Sequence, residues 1–306
     1  MWNLDFQPPQ VIEARVLTRL PDAFRQKRRS EWADANKPGH ELDSFLEGPA
    51  FDRDGNLYVT DIPFGRIFRI SPRLEWTLVA EYDGWPNGIA IHRDGSLWIA
   101  DYRRGLLRHS HEGGNPDPFL PHRNSESFKG LNDLTFDALG QCYFTDQGQT
   151  GLHDPTGRVF RLRPTGHLDC LMSNVPSPNG IALDAKGAVL FVAVTRANAV
   201  WRGPLLVDGT TSKMGAFRTF FGASGPDGLA VDVENRLVVA HASLGGAFVL
   251  DARGNVTHFL KSAAGSALTN VAYRPGTSKL VMTESESGSI LEVDMPSPGA
   301  ELFSHS

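Results

Sequence analysis

One short pattern recurs six times along the chain, and a chain built this way has few ways to bury itself. The copies are Glu47-Gly-Pro-Ala-Phe51, Pro86-Asn-Gly-Ile-Ala90, Leu131-Asn-Asp-Leu-Thr135, Pro178-Asn-Gly-Ile-Ala182, Pro226-Asp-Gly-Leu-Ala230 and Thr269-Asn-Val-Ala-Tyr273. Each sets one polar residue and small or turn residues before a short apolar run. Taking positions 47, 87, 132, 179, 227 and 270 as equivalent, the spacing is 40 to 48 residues. That period, with strand signals inside it, marks propeller blades. Turn sequences such as Asp52-Arg-Asp-Gly55, His92-Arg-Asp-Gly95 and Asp137-Ala-Leu-Gly140 follow the copies, with Gly supplying positive φ. Apolar or alternating runs come next, among them Leu57-Tyr-Val-Thr60, Leu97-Trp-Ile-Ala100 and Leu237-Val-Val-Ala240. The expectation is an all-β, six-bladed propeller forming one domain over residues 1–306.

A propeller must close its ring. The last repeat is short of one strand, and residues 11 to 20 alternate well enough to supply it, which removes the exposed edge. Residues 21 to 36 read as one short helix, stopped by Pro38-Gly39, within the segment 11–38 that precedes the first full repeat at 47. Its Arg25, Lys27, Arg28 and Arg29 read as a solvated face rather than a recognition surface.

Composition excludes other classes. With 30 Lys+Arg against 35 Asp+Glu the net charge is −5, and no basic stripe suits nucleic acid or an anionic membrane surface. The longest wholly apolar run, residues 188 to 194, is far short of the ~20 that span a membrane. Met1-Trp-Asn-Leu-Asp5 lacks the basic and apolar regions of a signal peptide, and Cys142 and Cys170 make no disulfide framework. A cytoplasmic protein is expected, its oligomeric state left open. No G-x-S-x-G elbow, dinucleotide loop or Walker motif is present.

The polar residues at the repeat starts, Glu47, Asn87, Asn132, Asn179, Asp227 and Asn270, would converge at one mouth of the central channel. Two carboxylates and four amides, with no Cys or His, are hard oxygen donors suited to Ca²⁺, Mg²⁺ or Mn²⁺ rather than structural zinc. Asn or Asp before Gly is also ordinary turn chemistry, but Glu47 is not.

The ordered set of Glu-Gly-Pro in blade one, Asn-Asp in three, Pro-Asn-Gly in four and Pro-Asp-Gly in five resembles the SMP-30/gluconolactonase family of metal-dependent lactonases. The match runs from about Glu47 to Asp294. The resemblance implies hydrolytic opening of a lactone by one divalent metal, calcium first, with magnesium, manganese or zinc as alternatives. It implies that Glu47, Asn179 and Asp227 hold the metal, that Asn132 lies beside it, and that Asp227 is the catalytic carboxylate, as base or nucleophile. Asp133 is open between ligand, supporting residue and turn residue. Where the regucalcin-like branch commonly has an arginine two residues before Asn132, this chain has Gly130, with Lys129 beside it. The third blade, with Phe144-Thr-Asp146, is closer to the bacterial drug-responsive lactonase branch.

Loops after the second strands should shape the pocket. Phe64, Trp85, Tyr102 and Phe128 would form an aromatic wall suited to a less hydroxylated lactone, with Asn87 beneath it. Arg103 or Arg104 could meet a substrate carboxylate. His241 could shuttle a proton, and His153 could reach over the mouth, while His109-Ser-His111 reads as a surface turn. Competing readings are a non-catalytic metal- or ligand-binding propeller and a metal-dependent aryl ester or phosphotriester hydrolase.

Overall fold

A computed structural model describes residues 8–110 and 113–306. The Met1–Asp5 segment and His111 lie outside the described residues.

The turn-and-strand pattern becomes six four-stranded antiparallel sheets, with the recurring motif on the first strand of each. These inner strands are Leu46–Phe51, Pro86–Ile91, Leu131–Phe136, Pro178–Leu183, Pro226–Val231 and Leu268–Tyr273. Each lies beside the next, and the sixth lies beside the first, so they ring a central channel. The second strands, such as Leu57–Asp61 and Leu97–Asp101, are buried along their whole length because neighbouring blades cover both faces. Six apolar clusters follow, each drawn from two adjacent blades; one joins Tyr58, Ile67 and Ala80 to Ile89, Ile99 and Leu107. Burying each such side chain contributes about 1.5–3 kcal/mol, so stability is spread round the ring.

The turns from inner to second strand share a device. Asp52 accepts hydrogen bonds from the Asp54 and Asn56 amides at 3.0 and 2.8 Å, and Gly55 takes φ +79°. Asp137 and Asp232 repeat the aspartate's two hydrogen bonds.

Closure uses the N-terminal segment, with one refinement. Arg15–Arg19 pairs antiparallel with Ser289–Asp294 and completes blade six. Gln10–Glu13 adds instead as a fifth strand, parallel to Val256–Lys261 of blade five. The expected helix over residues 21 to 36 is corrected to a 3-10 turn, Asp22–Phe24, and a six-residue helix, Glu31–Asn36, capped by Ser30 Oγ on the Ala33 amide at 3.1 Å. A continuous helix is lost because Arg25 reaches across to Asp43 and the Leu20 and Ser287 carbonyls, and Arg28 bridges to Leu42. Among the described residues no helix is long and apolar enough to cross a membrane.

Below the channel mouth the bore is lined by Ala50, Ala90, Thr135, Ala182, Ala230 and Ala272. This cavity of ≈ 400 Å³ is bounded on the far side by residues 300 to 306. There Phe303 packs on His92 and Phe136, and the Ser304 carbonyl accepts from Arg53 Nε at 2.7 Å.

Candidate active site

The inner strands are not regular. Between Glu47 and Ala50, Pro86 and Ile89, Leu131 and Leu134, Pro178 and Ile181, Pro226 and Leu229, and Leu268 and Asn270, pairing with the second strand slips by one residue. A bulge of this kind releases one residue from the ladder and re-aims its side chain. Asn87, Asn132, Asn179, Asp227 and, in blade six, Thr269 are released, while their counterpart Glu47 keeps its pairing with Thr60 at the edge of the bulge.

Asn270 therefore does not belong to the ring that the repeat spacing assigned to it. Leu268 pairs with Glu284 as Pro226 pairs with His241, and Val271 pairs with Met282 as Leu229 pairs with Val239. Thr269 is thus the counterpart of Asp227, and Asn270 of Gly228. The Thr269 hydroxyl donates to the Leu46 carbonyl at 2.8 Å, joining blade six to blade one.

The corrected register reveals a second ring one residue deeper: Gly48, Gly88, Asp133, Gly180, Gly228 and Asn270. Four glycines make room for two polar side chains. A Cβ at Gly88 would collide with Asp133 Oδ1, one at Gly228 with Asn270 Oδ1, and one at Gly180 with the Asp227 carbonyl. Asn270 Nδ2 donates to Glu47 Oε2 at 2.9 Å, and the Gly48 amide donates to the same oxygen at 2.6 Å. Asp133 Oδ1 accepts from the Leu134 amide at 2.9 Å.

Glu47, Asp133 and Asp227 are all buried and lie close enough to disturb one another. Burial raises the Glu47 carboxyl to about 8; the Asp133 charge adds to this, while Asn270 and the Gly48 amide oppose it. Burial lifts Asp133 to about 7. Asp227 lies well above the usual carboxylate range, first from burial, then from Glu47 and Asp133. A hydrogen bond from Asn179 and the charge of Arg196 pull it the other way. Among the described residues no Lys, Arg or His is hydrogen-bonded to any of the three acids. Three carboxyls with no paired cation cannot all ionise in one buried space.

Asn179 supplies an independent sign: its Oδ1 is buried with no hydrogen-bond partner. An orphaned oxygen beside acids that lack a counter-charge fits a hard divalent cation. Among the described residues no three His, Cys, Asp or Glu side chains form a metal-ligand group, so any such site must recruit amide oxygen. Asn132 is held differently, donating from Nδ2 to Gln147 Oε1 at 3.0 Å; Gln147 Nε2 in turn donates to Ser177 Oγ at 3.0 Å. The Asn87 carbonyl accepts from the Thr60 hydroxyl at 2.7 Å.

The expected wall is brought together in part. Trp85 and Tyr102 are half-buried neighbours, ring centroids 5.7 Å apart, and Tyr102 Oη accepts from Gln149 Nε2 at 3.0 Å. Phe64 is buried, with the Arg28 guanidinium 4.6 Å from its ring centroid. Phe128 packs inside blade three on Phe144 and Phe160. His241 is fully buried beside Phe220 and Phe248, its Nδ1 without a partner, and burial lowers it to about 4. His153 is exposed on its loop. Arg103 pairs with Asp83 at 3.0 Å and Arg104 with the same residue at 3.5 Å. Lys129 turns to the Thr156 hydroxyl. At Gly130 a Cβ would strike the Tyr102 ring, which explains why no arginine stands there.

Sequence reasoning missed the glycine ring, the Gln147–Ser177 support and Arg196. A readable signal existed for the last: the second strands of blades one, two, three and six end on an acid, whereas blade four ends Val194-Thr-Arg196.

Comparison with known proteins places the chain in a family. The family model for the SMP-30/Gluconolactonase/LRE-like region matches residues 45–286. Over 287 residues the chain is 30% identical to lactonase drp35 of Staphylococcus aureus (strain MRSA252), covering 85% of this chain and 84% of that protein. Lactonase drp35 of Staphylococcus epidermidis is 30% identical over 269 residues, covering 80% and 82%. Among solved structures, the calcium-binding protein regucalcin from Agrobacterium tumefaciens superposes with TM-score 0.75 at 19% identity, over 96% of this chain and 99% of that one. A gluconolactonase from Xanthomonas campestris gives 0.74 at 19%, over 92% and 99%. These two likenesses are of fold.

Proposed function

The chain belongs to the SMP-30/gluconolactonase/LRE-like family, and from that premise we propose a hydrolase that opens lactone rings, with Glu47, Asn179 and Asp227 holding one divalent cation, calcium by preference. The observation that carries this reading is the set of three buried acids without a paired cation, beside the orphaned Asn179 oxygen. When bound, a divalent ion supplies Lewis-acid polarisation of the lactone carbonyl and the positive charge that lets these carboxyls ionise.

Asp227, once ionised, takes the proton from the water that attacks the ring carbonyl. Glu47 is fixed by Asn270 and the Gly48 amide and stays in place through that transfer. Asn132, steadied by Gln147, keeps its Oδ1 for a substrate hydroxyl or the attacking water. Trp85 and Tyr102 receive the apolar body of the lactone and exclude bulk water from one side. As the ring opens, the alkoxide leaving group takes that proton back from Asp227, and the hydroxy acid departs with Asp227 ionised again.

Ring opening of a panel of γ- and δ-lactones, followed by acid release, tests the reading. Hydrolysis that EDTA abolishes and calcium or manganese restores is expected. Turnover indifferent to complete metal removal overturns the metal assignment. A calcium-dependent rise in melting temperature without turnover of any lactone leaves a ligand-binding propeller.

A further inference from the structure

Blade four departs from its neighbours where the second strand ends. Its 3-10 turn, Thr195–Ala197, is fastened beside two of the three inner strands that carry proposed ligands. The Thr195 amide donates to the Ser177 carbonyl at 3.0 Å, one residue before the strand of Asn179. The Thr195 hydroxyl donates to the Pro226 carbonyl at 2.8 Å, one residue before Asp227. Asn198 closes the turn in the left-handed region at φ +49° and donates from Nδ2 to the Gly222 carbonyl at 3.0 Å.

Arg196 rides on this fixed turn. It is exposed and, among the described residues, makes no hydrogen bond or ion pair. Other arginines at these turns are engaged: Arg66 with Asp61, Arg158 with Asp146, Arg103 with Asp83. The field of Arg196 reaches Asp227, yet the two form no pair. Its Cγ and the His153 ring approach the same side of Gly151, at 3.6 and 3.1 Å from where a Cβ would stand. Two large apolar side chains flank the turn: Leu152, 71% exposed and next to Gly151, and Phe221, 72% exposed and next to Gly222. An unpaired guanidinium on a rigid turn beside the site has the geometry to take a carboxylate or phosphate in a forked pair.

We propose that Arg196 is a specificity-determining residue that receives an anionic group on the substrate, so that the preferred lactones carry a negative charge remote from the ring carbonyl. This rests on the lactonase reading above. It adds a substrate class: a lactone bearing a carboxylate or a phosphate, with the chain that joins this group to the ring against Leu152 or Phe221.

The test compares three lactones of one ring size, neutral, carboxylated and phosphorylated, on the wild type, Arg196→Gln and Arg196→Lys. Lys186→Gln, on the opposite face, serves as control. The wild type should prefer one charged lactone, and which one identifies the anion. Arg196→Gln should lower the charged-to-neutral ratio of kcat/KM by at least about tenfold, mainly through KM, with partial recovery in Arg196→Lys. A wild type without preference for charge, or an Arg196→Gln loss equal on all three, overturns the proposal. Should no lactone open, the lactonase reading falls alone. Calorimetry with glutarate and inorganic phosphate then decides the anion site: binding lost in Arg196→Gln supports it, and binding equal in both proteins or absent from the wild type overturns it.

Discussion

Two sets of buried acids repeat around this propeller, and they differ in what surrounds them. At the ends of the second strands, Asp61, Asp101, Asp146 and Glu284 each have donors waiting. Asp61 accepts from the Phe45 amide at 2.7 Å and pairs with Arg66. Asp101 accepts from the Arg103 and Arg104 amides at 2.8 Å and the Tyr82 hydroxyl at 2.9 Å. Asp146 takes the Gly130 amide at 2.9 Å and Arg158 Nε at 2.7 Å. Glu284 takes the Glu286 and Ser287 amides. A few residues away, Glu47, Asp133 and Asp227 face one another. Burial raises Asp61 and Asp101 as it raises the channel acids, so desolvation does not separate the two sets. What separates them is whether the fold meets the charge. The outer acids hold loops in place; the inner ones are left with a requirement that only something from outside can satisfy.

The sharpest way to break this contrast is a pair of substitutions. Asp227→Ala should lower kcat/KM at least about 10³-fold while the melting temperature of the metal-free protein holds or rises, because a repulsive buried acid is gone. Asp61→Ala should do the reverse, costing about 3–5 kcal/mol in urea unfolding by leaving the Arg66 guanidinium buried without a counter-charge. If both variants lose stability equally, the distinction fails.

Cation binding is next in size. Calcium at about 100 times its Kd should stabilise the wild type by about 2.7 kcal/mol, read as a rise in melting temperature that EDTA reverses. Asp227→Asn should abolish that rise, and Asp101→Asn should leave it. Gly228→Ala should cost about 1–3 kcal/mol, since its Cβ collides with Asn270 Oδ1 and pushes that amide off Glu47. Unchanged unfolding in Gly228→Ala would show that the second ring is slack.

A further effect is one of pH. Folded Glu47, raised to about 8 from an ordinary value of 4.5, holds a proton that the unfolded chain has already released. In the metal-free protein, stability should therefore fall as pH rises from about 5 to about 8. Over the same window calcium should bind more tightly, because it displaces a proton. A flat melting temperature without metal would mean that Glu47 is ionised and compensated.

Much of the architecture could be read beforehand because propeller turns and strands are written locally: Asp52-Arg-Asp-Gly55 followed by Leu57-Tyr-Val-Thr60 needs no distant partner to be recognised. The misplacement of Asn270 has an equally local cause. Asn270 precedes Leu280 by ten residues as Asp227 precedes Leu237, so spacing matched the two, and only the pairing of Tyr273 with Leu280 shows that the blade-six turn is one residue longer. The helix was overextended because Arg25 and Arg28 are drawn to partners outside it. Arg196 was signalled only by the missing acid at the end of the blade-four second strand; the fastenings of Thr195 to Ser177 and Pro226 beside it show in no spacing. His241 was legible as a neighbour of Asp227 in blade five, but not as a ring sealed among phenylalanines.

Joining Arg15–Arg19 to Ser289–Asp294 has a consequence for how the protein comes into being. The ribosome must deliver nearly the whole polypeptide before the first strand meets its mate, and contacts so distant in sequence form slowly. Until then the blades make an open arc with bare edges at both ends, prone to pairing with other chains. A premature stop before residue 289 leaves that arc permanently ajar, with Glu47, Asn179 and Asp227 all synthesised yet no circle to hold them together.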